Sequence, residues 1–201
     1  MRLQSRLRGW ESDSGCPADS GGEHGGAPLD VKVPLPDESK LAPEIRERLG
    51  KLPPLNVFRM MANVPASFQP LIDFAMSLLM RGEFDPRKRE IAVLRVAHVT
   101  HAHYEWVQHV RVAKSVGLTD EEIAKIAVDA PVTSLDSEAN LLCRVADEIS
   151  KDVRLSDEAL AAVLEHYGVR QATELILCVS YFNMLSRFLE STRVELEPGL
   201  R

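Results

Sequence analysis

Residues 90–109, EIAVLRVAHVTHAHYEWVQH, hold most of the chain's chemically capable side chains. Four of the six histidines fall here, His98, His101, His103 and His109, with Glu90, Tyr104, Glu105 and Trp106 among them. They interrupt an apolar run, and titratable groups in such surroundings are where proton chemistry is sought first. Glu105 and His109 stand four residues apart, so on a helix they are neighbours. A carboxylate beside an imidazole favours its charged form, and such a pair can move a proton. The bland alternative is a surface ion pair. Glu90 lies five residues into a helix whose other inward positions are apolar. Desolvation there would raise its pKa toward neutrality. The competing reading is a solvated glutamate in a charged first turn, Arg87-Lys88-Arg89-Glu90.

The candidate catalytic residues are therefore Glu90, Glu105 and His109. Arg95, Tyr104 and His101 are the candidate substrate-binding residues. Arg95 can grip a substrate carboxylate through two parallel hydrogen bonds, or merely pair with Glu90. Tyr104 can donate from its hydroxyl, or serve as a core or interface ring. His101 shares a face with Glu90, Leu94 and Ala97 if that helix continues. Metal binding is the rival chemistry. On one unbroken helix, His98, Glu105 and His109 fall on a stripe that zinc or iron could use. A break near Thr100–His103 would scatter them, so no metal and no other cofactor is assigned.

Helical elements must position these groups. Asp85-Pro86 is a start signal, a cap followed by Pro at the first helical position, for a helix from Pro86 to about Val99. A second run covers about Ala102 to Val116 and stops at Gly117. Thr119 with Glu122 forms a capping-box pattern for a helix to about Val128. Asp136 or Ser137 begins another, and Ser156 the next, which ends near Gly168. The last helix, about Arg170 to Thr192, is apolar around much of its circumference, as for a central helix or a subunit contact. Upstream, Leu41, Ile45 and Leu49 mark a short helix, Asn56 reads as the cap of a turn over Val57–Met61, and Pro65 starts a helix that reaches Gly82. No strand-period segment appears, and the fold class is an all-α bundle.

Composition excludes several classes. The net charge is −6, from 24 basic and 30 acidic residues, with no basic stretch suited to nucleic acid. No apolar run reaches the ~18 residues of a membrane span. Three cysteines, Cys16, Cys143 and Cys178, are widely spaced and odd in number. That argues against a disulfide framework and fits a reducing cytoplasm. Residues 1–38, rich in Gly, Ser, Asp and Pro, read as a flexible tail without a secretory signal. Residues 39–201 read as one helical domain.

The string Arg89–Ala97, then Thr100, Tyr104-Glu105-Trp106, His109 and Gly117–Ile123, resembles the carboxymuconolactone decarboxylase family. That family includes the alkyl-hydroperoxidase D-like proteins. The likeness extends upstream through Pro54–Met60 and downstream to about Pro198. It implies a compact helical bundle, assembly into trimers or hexamers, and a buried acid at Glu90. In the thiol-active branch a Cys-x-x-Cys motif precedes the histidine, but Ala102 and Glu105 occupy those positions here. Thiol peroxidase chemistry, which needs a nucleophilic sulfur, is thereby disfavoured. The decarboxylase branch needs no cysteine. The expectation is cofactor-free acid–base chemistry on a small organic acid or lactone, with a homo-oligomeric scaffold or a metal-binding protein as the other classes.

Overall fold

The computed structural model describes residues 31–200, and among these all regular structure is helical. A 3-10 turn at Glu38–Lys40 precedes α1 (Pro43–Leu49), α2 (Asn56–Met61), α3 (Pro65–Met80), α4 (Pro86–Val99), α5 (His103–Ser115), α6 (Asp120–Ile126), α7 (Ser137–Asp152) and α8 (Asp157–Thr192). The all-α class expected from periodicity is what the described residues adopt.

The start signals act as their chemistry requires. Asp85 accepts from the Lys88 N–H, Asp136 from Ala139 and Ser156 from Ala159. Thr119 and Glu122 close the reciprocal capping box of α6. Gly168 breaks α8 with φ 69°, a left-handed conformation that costs glycine little. Asn56 departs from expectation. Leu55 occupies the cap position, and Asn56 is the first residue of α2. Its amide donates to the Glu195 carbonyl and its N–H to Glu197 Oε1, both in the segment after α8.

The centre of the bundle is α4, not the apolar last helix. Every residue from Arg89 to Ala97 is buried, and α4 packs on α5, α6, α7 and α8. Leu94, Val96 and Ala92 lie among Leu142, Val145, Leu175 and Val179 of the core. Losing one such leucine costs about 2–5 kcal/mol. The second half of α8 is only partly covered, with Leu177 45% and Met184 42% exposed. The loop into α4 is fixed by Glu174 of α8, which accepts the N–H groups of Glu83 and Phe84. Gly82 permits that approach, since a Cβ there would meet Glu174 Oε1 at 1.9 Å.

The expected tail at residues 1–38 falls largely on residues 1–30, outside the described residues. The compact unit itself begins at Lys32 rather than residue 39. Within it, the Val33 N–H donates to the Thr192 carbonyl at 3.1 Å, and Asn63 reaches the Pro34 carbonyl. Arg59 pairs with Glu38 at 2.7 Å. Residues 32–38 are thus held to the helices by hydrogen bonds and an ion pair, which their composition does not reveal.

Candidate active site

The site grows from a break between two helices. Thr100 ends α4, and His101 takes φ 54°, in the left-handed region. The His101 N–H bonds to the His98 carbonyl at 3.1 Å, and the Ala102 N–H reaches back to the Ala97 carbonyl at 2.8 Å. This pair of bonds is a Schellman ending, usually built on glycine. Ala102 then caps α5 without a side-chain bond. The turn folds α5 back against α4 and brings Glu90 opposite His109.

Glu90 is fully buried. Its Oε2 accepts from His109 Nδ1 at 2.7 Å, and its Oε1 from Arg89 Nε at 3.2 Å. Arg89 Nη1 also donates to the Leu79 carbonyl. The His109 side chain is 12% exposed, and its ring stands edge-on to Phe182 with centroids 4.9 Å apart. On its other side Nε2 lies 3.6 Å from Glu105 Oε2, near enough for charge pairing but too long for a hydrogen bond. Glu105 is 3% exposed, and its Oε2 has no hydrogen-bond partner.

This arrangement sets the protonation chemistry. Burial alone would push the His109 pKa down. The charge and hydrogen bond of Glu90, with the charge of Glu105, outweigh it, and the pKa is raised. Burial raises the Glu105 pKa first, and the charges of Glu90 and Glu190 add to it, while His109 opposes. The Nδ1–H bond to Glu90 fixes the tautomer, so Nε2 is the nitrogen left to exchange a proton. The group can therefore take up and release a proton in a largely water-excluded place.

Two of the three expected substrate-binding residues are committed elsewhere. Arg95 is wholly buried and faces α7 rather than Glu90. Its Nε and Nη2 grip both oxygens of Asp147 at 2.7 and 3.0 Å. Nη1 donates to the carbonyls of Ile126 and Val128, and Nη2 to that of Ala130. All five guanidinium N–H groups are spent on holding the loop after α6, so none remains for a substrate. Tyr104 is buried, its hydroxyl donating to Glu197 Oε1 at 2.6 Å and accepting from the Val57 N–H at 3.1 Å. It ties the C-terminal segment to α2 and α5, and burial followed by the Glu197 bond raises its pKa. His101 is exposed and lies outside the Glu90–His109 pair, because α4 ends before reaching it.

The same break separates the histidines. His98 pairs with Asp129 at 3.2 Å, away from His109. Among the described residues no group of three or more His, Cys, Asp or Glu side chains is arranged to hold a metal. Cys143 and Cys178 are buried, and burial pushes both thiols up to about 12. Arg89 and Phe182 were missed in the sequence. Arg89 sits in a charged first turn that resembles solvated surface, and Phe182 lies 73 positions beyond His109 in a generic apolar helix.

Residues 65–148 match the carboxymuconolactone decarboxylase family. No curated protein matches the chain significantly. Among solved structures, the chain is similar to an uncharacterized peroxidase-related protein from Ralstonia eutropha, described as an alkylhydroperoxidase AhpD core. That match has a TM-score of 0.72 and 17% identity, over 83% of this chain and 92% of that one. A second uncharacterized peroxidase-related protein, from a Silicibacter species, matches with a TM-score of 0.64 and 19% identity, over 83% and 88%. At such identities the likeness shows the fold. No described helix is long and apolar enough to cross a membrane.

Proposed function

We propose, from the match of residues 65–148 to the carboxymuconolactone decarboxylase family and from the site geometry, that the chain is a member of that family in which Glu90, His109 and Glu105 form an acid–base relay in a cofactor-free enzyme. The substrate is a small organic acid or lactone. The step is a decarboxylation or a related lyase or isomerase reaction. The observation that carries the reading is the buried 2.7 Å bond between Glu90 and His109, with His109 Nε2 facing an unpartnered Glu105 oxygen.

In the decarboxylation form, the carbon–carboxylate bond breaks and carbon dioxide leaves. The electron pair spreads into a conjugated carbonyl system. His109 Nε2–H delivers a proton to carbon, and Glu90 holds the imidazole in place while its charge changes. Glu105, beside Nε2, is the proton partner through which the imidazole is restored. A general acid or base of this kind contributes about 10²–10⁴-fold to rate.

The peroxidase alternative lacks a thiol next to His109. Ala102 and Glu105 stand where the resembled motif has cysteines, and the two described cysteines are buried with their thiols held up by desolvation, Cys178 even though it feels the charges of Arg89 and Glu90. A purely structural role becomes the better reading if Glu90 and His109 are solvent-exposed with no pocket between them, and here Glu90 is fully buried, His109 nearly so, and the two are bonded to each other. We also propose assembly into a homo-oligomer, trimer or hexamer, in the cytoplasm. The half-exposed Leu177 and Met184 on α8 support a subunit contact.

The test is a paired turnover assay. One arm follows carbon dioxide release and absorbance loss from carboxymuconolactone-type acids, and the other hydroperoxide loss with a dithiol. Decarboxylation alone is expected, abolished by His109→Ala and by Glu90→Ala with helical content intact. Full activity in either variant removes that residue from the mechanism. Peroxide loss alone overturns the acid–base reading.

A further inference from the structure

We propose that the cleft at the α4–α5 break is a binding site for a small flat carboxylate, held by His101 and His103 and covered on one side by Trp106. The inference deepens the acid–base reading, since it supplies the anion seat that Arg95 does not. Binding itself does not depend on that reading.

The cleft has a volume of about 400 Å³, with a floor of Ala97, Ala102 and Ala127. His98, His101, His103 and Trp106 complete its lining. His98 and His101 also border an adjoining depression of about 320 Å³ that Lys151 flanks. Among the described residues the imidazoles of His101 and His103 have no side-chain hydrogen bond, whereas His98 is tied to Asp129. Each free imidazole offers an N–H donor to a carboxylate oxygen. His101 is a second pointer. The left-handed turn it occupies is one that glycine makes without strain, whereas a Cβ is strained there. A strained residue whose side chain faces a cleft is a reason to look for a function.

Charge and shape narrow the ligand. The cleft lies at the start of α5, where helix polarity favours an anion. Ala102 has no side-chain oxygen to cap that end, and the Glu190 carboxylate supplies the cap instead. Glu190 already takes the His103 backbone N–H, so the anion's place is at the side chains. Asp129, on the His98 side, and Glu190 limit the charge the site tolerates, which favours one carboxylate over a phosphate. The alanine floor and the Trp106 ring suit a flat unsaturated body. Glu105 follows Ala102 by one helical turn along α5, and the relay residues themselves do not line the cleft.

Benzoate is the probe, with benzamide as its uncharged counterpart. Calorimetry on the full chain measures affinity, and imidazole NMR signals report where the ligand sits. Benzoate is expected to bind saturably, to shift the His101 and His103 signals, and to bind more tightly than benzamide. His101→Gly keeps the left-handed turn and removes the imidazole. Combined with His103→Ala it should weaken binding by about tenfold or more, with helical content unchanged. Binding that is lost in the double variant supports the cleft even where no turnover is found, so the acid–base reading can fail separately. Absence of saturable binding, or binding indifferent to the double variant, overturns the cleft whatever the turnover assay shows.

Discussion

Glu90 and His109 lie 19 residues apart in sequence and 2.7 Å apart in space, joined across the interface between α4 and α5. The bond exists because the chain reverses at His101, and it ties a helix centre with no solvent access to a helix whose outer side is partly open.

That bond makes the His109 titration a direct readout. In Glu90→Gln the opposing charge is gone while burial remains, so the His109 pKa should fall from its raised position to below the usual 6.5. Imidazole NMR across pH measures it. The sign for stability follows. A raised folded-state pKa contributes stability that is fully present below about pH 6.5 and is lost as pH rises through the folded value. Urea unfolding of the parent should therefore show this loss on the alkaline side of 6.5, and Glu90→Gln should not. An unchanged His109 titration in the variant would sink the claim that Glu90 sets the proton affinity.

Arg95 should behave as a structural residue. Arg95→Ala leaves Asp147 without its guanidinium and three loop carbonyls without donors, and should cost about 3–5 kcal/mol. Arg95→Lys should recover only part of this, because one ammonium cannot reproduce five fixed donors. Tyr104→Phe should cost about 1–3 kcal/mol by orphaning the Val57 N–H. Denaturant unfolding reads all three. A variant that keeps parental stability yet loses substrate affinity would return that residue to the binding role.

Cys143 and Cys178 should be inert in the folded protein. With thiols at about 12, the thiolate fraction at neutral pH is roughly 10⁻⁵. In a Cys16→Ser background, a thiol reagent should label neither cysteine until denaturant is added, and alkylation should leave turnover unchanged. Rapid labelling under native conditions would contradict their burial.

What the sequence determined by itself was local. Capping residues set the starts of α4, α6, α7 and α8, because a cap needs only a side-chain oxygen and a backbone N–H three residues away. Gly168 marked its own break for the same reason. The i, i+4 geometry placed Glu105 beside His109, and the family resemblance pointed to a buried Glu90. What only the tertiary structure decided was partnership across helices. Arg95 could have faced a substrate, Glu90 or α7, and the packing of α4 against α7 gave it Asp147. Tyr104 could have been free, and the returning C-terminal segment took its hydroxyl. The centrality of α4 was hidden because its Arg and Glu lower its apparent hydrophobicity, although each is neutralised by a partner distant in sequence or by its neighbour. The reversal at His101 carried no glycine to announce it, and the break near Thr100–His103 was implied by the family resemblance. Side-chain chemistry within one turn of a helix is legible in order of residues, whereas a contact between helices depends on how the whole bundle closes.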